Sequence, residues 1–297
     1  MSWITVAAAC SLASLIGLQT LSEAPATFEI IEHGNEVSGD ETTISAPSSI
    51  PASGAGEAND AGKSNMLFDA PRRQASSSQQ DAKAAQLIAA IVNPAALLYG
   101  QVTAPETKSP TALVLGNIEL RTDSWPLIGR PDAEMVFVEL FDYTCPHCQR
   151  THKSLDAARE HFGDKLAVIT MPVPLDRECN PTVNSTHPSH NEACELAKLA
   201  IAVWCVDPSQ FERFHDVLFE STPNYAQALS KARSLVDQKK LTEMLNSSLP
   251  SDYVNKHVTL YQRAGAGTIP KLLFPRTSSV GAVESPDAMI RLIEQHL

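Results

Sequence analysis

Two cysteines separated by two residues, Cys145-Pro146-His147-Cys148, are the residues of this chain best placed to do chemistry. They follow an apolar run, Met135 to Phe141, and precede a segment with helical spacing at Leu155, Ala158 and Phe162. A CxxC at a strand-to-helix junction puts its first sulfur at a helix N-terminus. Free backbone N–H groups and the helix dipole favour a thiolate there. Pro146 falls in the first turn, where its missing N–H costs nothing. His147 can add positive charge near Cys145, and Cys148 can resolve a mixed disulfide formed by Cys145. A zinc site made of four cysteines would need a second CxxC, and the sequence has none. The pattern points to thiol–disulfide exchange.

The other cysteines have blander readings beside sharper ones. Cys179 and Cys194 flank a Pro/Ser/His-rich loop. They could close it as a structural disulfide, or form an accessory redox pair that relays to Cys145 and Cys148. With His187 and His190 between them they also offer zinc or copper ligand types, but in no known finger spacing, so no metal is assigned. Cys205 follows Trp204 on an apolar helix and reads as a small packing residue, as does Cys10 near the N-terminus. Phe211, Phe214 and Phe219 read as core or as the lining of an apolar groove. His152 and His215 read as surface or helix-face residues. No Ser-His-Asp set, glycine-rich phosphate loop or paired-carboxylate signature is present.

The elements that must hold the CxxC are legible around it. Met135–Phe141 and Leu166–Met171 read as buried strands on either side of the helix that carries Cys148. Ala112–Leu115 and Ile118–Leu120 suggest an edge strand or a hairpin turning at Gly116-Asn117. From Asn191 to Ala264 the pattern is helical, punctuated at Asp207-Pro208, Pro223-Asn224 and Leu249-Pro250-Ser251. Lys271–Phe274 and Ser278–Val283 read as strands, and Ser285-Pro286-Asp287 opens a last helix reaching about His296. The order predicts an α/β domain over residues 111–297 with a helical insertion at about 176–264.

What precedes that domain differs in kind. The chain has 297 residues and a net charge of -11. Residues 22–80 carry nine acidic and three basic side chains, and so hold more than half of that charge. Rich in Ser, Ala, Gly and Pro, residues 22–110 read as a disordered acidic tether with a short helix at 82–92. Residues 1–21 contain no charged side chain. The run at 3–21 is about long enough to span a bilayer, at the short end. It is read as a membrane anchor or a cleaved signal, with a buried core helix as the third alternative; Ala24-Pro25-Ala26 offers a cleavage site but no basic start is present. Either of the first two readings places the domain outside the cytoplasm, anchored, or secreted if cleaved. The acidic balance and an aromatic content of 6% argue against nucleic-acid binding.

With these residues in view, the chain resembles the thioredoxin superfamily, and most closely its DsbA-like branch, over residues 112–297. Cys-Pro-His-Cys is that branch's active-site pattern. Glu139, six residues before Cys145, matches the buried acid those proteins use as a proton acceptor. Thr268-Ile269-Pro270 is similar to their cis-proline loop, which faces the CxxC and binds a substrate cysteine, and the helical block matches their insertion. The resemblance implies a thioredoxin-like α/β fold and an extracytoplasmic protein disulfide oxidoreductase. Cys145 would be its nucleophile, Cys148 its resolving thiol, and Thr268, Ile269 and Pro270 its substrate loop. It further implies cysteine-containing clients, no organic cofactor, and a membrane redox partner of the DsbB or vitamin K epoxide reductase type supplied in trans. Ile269 departs from the Val usual in oxidising members. The Pro-His dipeptide points the other way, to an oxidant, so an oxidase is expected, with a reductase or isomerase, or a non-catalytic chaperone-like module, as alternatives.

Overall fold

A computed structural model describes residues 28–33, 66–71 and 110–297. The 1–21 segment and the helix at 82–92 lie outside them. Among the described residues no helix is long and apolar enough to cross a membrane.

The core is a six-stranded sheet built around β6 (Met135–Phe141). Its run of Val, Phe and Leu is buried on both faces, as a central strand flanked by helices requires. β7 (Leu166–Pro172) pairs parallel to β6, and β8 (Lys271–Leu273) antiparallel on the other side. β5 (Leu127–Ile128) and β9 (Thr277–Gly281) extend the two flanks. The parallel β6–β7 pair needs a crossover. α1 (Pro146–Phe162) supplies it and stops at Gly163, whose φ of 56° suits glycine.

Two apolar clusters lie against the sheet. Met135 and Phe137 of β6 meet Leu155 and Ala158 of α1 and Met289, Leu292 and Ile293 of α7 (Pro286–Glu294). Ser285 caps α7 by accepting from the Ala288 N–H. The larger cluster joins Val138 and Leu140 to the helical insertion: α2 (Ala193–Val206), α3 (Phe211–Glu220), α4 (Tyr225–Leu235), α5 (Gln238–Leu245) and α6 (Leu249–Arg263). α2 is apolar nearly all round because the other insertion helices surround it. Asn224 and Gln227 form a reciprocal capping box at the start of α4.

Two expectations change, and one pair of alternatives is narrowed to the hairpin. The insertion is helical only from Ala193; residues 176–192 form a loop with one short 3-10 turn at Pro188–His190. Asx turns at Asp176 and Asn180 satisfy this loop's backbone in place of helical bonds. The tether reading fails for residues 28–33 and 66–71. Phe28–Glu32 forms β1, an edge strand antiparallel to β9, and Met66–Leu67 forms β2 beside the Ile118–Arg121 strand. Phe68 stacks on Trp125 at 5.7 Å, and Tyr253 of α6 donates to the Pro71 carbonyl at 2.9 Å. Short apolar patches inside an acidic, low-complexity stretch find partners that composition averaged over the stretch conceals. The 112–120 region is a hairpin, β3 (Thr111–Val114) with β4 (Ile118–Arg121), in a separate three-stranded sheet with β2.

β5 is followed by Gly129, where φ is 97° and a Cβ would stand 2.6 Å from the Leu166 carbonyl oxygen. Gly129→Ala is expected to cost about 2 kcal/mol or more through strain and overlap with β7. Urea unfolding should show it as a lower midpoint with unchanged slope.

Candidate active site

β6 delivers the site. After Phe141 the chain turns through Asp142-Tyr143-Thr144, and Cys145, still extended, is the residue from which α1 starts. Pro146 occupies the first turn of α1. Cys145 keeps 5% of its surface exposed, whereas Cys148 is fully buried. The two thiols are free and differ sharply. The Cys148 S–H donates to the Cys145 sulfur, and the backbone N–H groups of Cys148 and His147 add to it. Together they bring the Cys145 thiol down to about 7 against the opposing effect of burial. Burial, and then the neighbouring Cys145, push Cys148 well above an ordinary thiol. One sulfur thus ionises far more readily than the other, which is held protonated.

His147 helps by its backbone rather than its ring. The imidazole is mostly exposed, and Arg150 Nη2 lies 2.8 Å from its Nδ1. A guanidinium can only donate, so Nδ1 accepts. Arg150 also donates to Glu284 at 2.7 Å, tying α1 to the segment before α7.

Two acids of the β6 segment are buried, and the second lies beside the thiols. Glu139 faces the α1 side of the sheet, is fully buried, and has no hydrogen-bond partner among the described residues. Burial raises it to about 8, reinforced by the Asp156 charge and opposed by Arg159. Asp142 was not foreseen. Its Oδ1 accepts from the Thr144 N–H at 2.6 Å and the Thr144 hydroxyl at 2.5 Å, and its Oδ2 from the Leu175 N–H. Its own N–H points at the Cys148 sulfur at 3.5 Å. Burial raises its pKa against these donors, and its charge resists ionisation of both cysteines. Thr144 also pairs with His190 Nδ1 at 2.6 Å, which brings the 176–192 loop onto the active-site turn. An Asp directly after a buried strand was the available signal.

That loop is closed by a Cys179–Cys194 disulfide. The bond leaves no thiolates for a metal there; His190 is engaged by Thr144 and His187 by Ser189. Cys205 is half-buried and packs against the larger cluster. His152 and His215, read as surface residues, are buried. The His215 Nδ1 meets the Tyr143 hydroxyl at 2.9 Å; Phe141 and Phe219 pack against both rings, and Phe211 against His215. Burial pushes His215 far below its usual range.

The Ile269–Pro270 peptide is cis. Lys271 pairs with Leu140, so Pro270 lies level with Phe141, at the end of β6 from which the CxxC departs. Ile269 belongs to the same buried cluster as Cys145 and Cys148. Lys271, unforeseen as a buried cation, donates from Nζ to the Ala264 carbonyl at 3.3 Å and to that of Gly265. These are the carbonyls at the end of α6, which attract a cation. Tyr261 bridges to the Gly267 backbone, so the loop before the proline is braced from both ends. Beside Tyr143 and Thr144 a cavity of about 470 Å³ opens, walled by Gln149, Ser189, Leu218 and Asn224.

A central strand ending in a CxxC at a helix N-terminus, level with a cis-proline, defines a thioredoxin-fold protein with a dithiol site. A family model described as Thioredoxin matches residues 121–294. The chain belongs to the thioredoxin family. Disulfide bond formation protein D of Bacillus subtilis (strain 168) is 28% identical over 158 residues, covering 50% of this chain and 66% of that protein. Na(+)/H(+) antiporter NhaA 1 of Mycolicibacterium gilvum (strain PYR-GCK) is 33% identical over 103 residues, 34% of this chain. The chain spans only 15% of that antiporter's length. Among solved structures, oxidised BdbD from Bacillus subtilis has a TM-score of 0.49 at 19% identity, covering 64% of this chain and 98% of its own. The thiol-disulfide exchange protein alpha-DsbA2 from Wolbachia pipientis has a TM-score of 0.47 at 18% identity, covering 58% and 86%.

Glu139 makes stability depend on pH. The unfolded chain releases this proton near 4.5, while the folded protein holds it to about 8. Between those values the folded state binds more protons, so stability falls as pH rises. Glu139→Gln is expected to remove that slope. Its unfolding free energy, by urea titration, should exceed the wild type's by on the order of 1–3 kcal/mol near the upper limit. Near the lower limit the gain should be much smaller.

Proposed function

We propose that this protein is an extracytoplasmic thiol–disulfide oxidoreductase that acts mainly as an oxidant of client proteins. The observation that carries the reading is the contrast between Cys145, lowered to about 7 at a helix N-terminus, and Cys148, buried and held protonated. In the oxidised form a client thiolate attacks the Cys145 sulfur of the Cys145–Cys148 disulfide. A mixed disulfide forms, and Cys148 departs as a thiolate that takes up a proton. Glu139, protonated near neutral pH, is the buried acid that exchanges this proton. A second client thiolate then attacks the client's own sulfur in the mixed disulfide and releases the Cys145 thiolate. The client leaves oxidised, and the site holds two reduced thiols.

The leaving group supports this direction. A thiol with a lowered pKa leaves faster and favours the reduced form of the site. Asp142 moderates this effect, so the oxidant is weaker than one with a fully stabilised thiolate. Thr268, Ile269 and Pro270 would offer backbone groups to the client's cysteine, and the cavity beside Thr144 would take the flanking peptide. The Cys179–Cys194 bond supports an oxidising compartment, since such bonds are rare where thiols are kept reduced. Each turnover leaves two electrons on the site. A membrane redox partner of the DsbB or vitamin K epoxide reductase type would remove them in trans.

Cys145→Ser is expected to abolish oxidative refolding of a reduced client and reduction of insulin. Cys148→Ala should trap mixed disulfides visible on non-reducing gels. Equal activity of Cys145→Ser and wild type would replace this reading by a non-catalytic binding module. The potential of the Cys145–Cys148 couple in a glutathione buffer should lie above about -200 mV, and a value near -270 mV would make it a reductant.

A further inference from the structure

We propose that His152, Asp156 and Asp216 form a site for a first-row divalent transition ion of the Zn2+ class, at the seam between α1 and α3. None of these residues serves as a nucleophile, acid or base in the thiol chemistry. His152 and Asp156 are one helical turn apart on α1, so they share a face. Asp216 comes from α3 across the seam. One imidazole nitrogen and one oxygen from each carboxylate lie within 4.8 Å of one another. On an ion with bonds of about 2.1 Å no two ligand atoms stand more than about 4.2 Å apart. Small rotations of the half-exposed Asp156 and Asp216 side chains close the set.

The buried member gives the cluster its direction. The His152 side chain is 3% exposed, and its Nε2 lies 3.2 Å from Asp156 Oδ2 and 3.7 Å from Asp216 Oδ1. It nevertheless makes no hydrogen bond, and neither does Asp216 Oδ1. Two buried polar atoms facing each other without bonds are costly, and a cation between them satisfies both. The ring is held in place by stacking on Phe219 at 4.3 Å and by the edge of His215. Arg159 holds the other oxygen of Asp156 at 3.2 Å, which leaves Oδ2 turned to His152. Asp156, Asp216, Glu212 and Glu220 outnumber Arg159, so the neighbourhood attracts a cation. An imidazole with two carboxylates suits zinc and its neighbours better than the all-oxygen shells of magnesium or calcium. Three protein ligands leave a fourth position for water. His152 also lies one turn beyond Cys148, so an ion here would staple the catalytic helix to the insertion.

The test uses the full chain, stripped with EDTA and then oxidised, so that the Cys145–Cys148 disulfide removes thiolate ligands. Titration with Zn2+ by calorimetry should give one ion per chain. Asp216→Asn and Asp156→Asn should each weaken binding by about tenfold or more, while His187→Ala on the exposed loop leaves it unchanged. Co2+ should give a visible ligand-field band that the two Asn variants lose. Circular dichroism checks that the variants are folded; these half-exposed positions tolerate Asn without opening the core. No Zn2+ bound by the oxidised wild type at about 1 mM free ion, or equal affinity in both folded Asn variants, would overturn the proposal.

Discussion

Everything at the active site depends on how β6 ends. The strand is paired on both sides, parallel to β7 and antiparallel to β8, so it cannot shift register without turning its side chains to the wrong face. That constraint fixes where the CxxC leaves the sheet. Because β8 runs opposite to β6, its first residues stand at the same end, and Pro270 lies level with Phe141. Two segments more than a hundred residues apart in sequence are thus brought together by one pair of strands. The helix that follows β6 then supplies free N–H groups to Cys145 and buries Cys148 one turn further in.

Burial sets the electrostatics as well as the geometry. Cys148, Glu139 and Asp142 lose water together, and each is pushed toward its uncharged form. Cys145 escapes because local donors outweigh desolvation. The result is one sulfur that ionises near neutral pH, surrounded by groups that resist adding a second negative charge. Asp142 couples this balance to the wider fold. It is held by Thr144 and by Leu175, and Thr144 is held in turn by His190 from the disulfide-closed loop. The loop that opens the insertion therefore braces the turn that leads into Cys145.

How far the sequence shows this depends on the range of each interaction. The CxxC, the two central strands and the caps at Asn224 and Ser285 are local patterns with a physical reason at fixed spacing, and they stand where the sequence places them. The Asp142–Thr144–His190 link joins residues 46 apart through a loop without a period, and no local pattern announces it. His152 and His215 misled for a related reason. A histidine amid Asp, Glu and Arg on an amphipathic helix looks solvated, and only the seam between α1 and α3 makes it interior. β1 and β2 were hidden by averaging, since five residues of β-forming sequence vanish in a window dominated by Ser, Ala and acids.

The insertion does more than cover the sheet. In a bare strand–helix–strand unit, the side of α1 bearing His152 would face water, and its histidine and acids would be an ordinary polar surface. α3 lies over that side and carries Phe219, His215 and Asp216 onto it. Aromatic rings take up most of the contact, which stabilises the seam. The polar atoms caught between them must still be satisfied. Tyr143 and His215 satisfy each other, whereas His152 and Asp216 do not. A core assembled for packing alone would place an apolar residue at position 152, one turn from Cys148. The imidazole there, oriented by Phe219 and faced by two carboxylates, makes this seam the part of the insertion whose chemistry exceeds what packing needs.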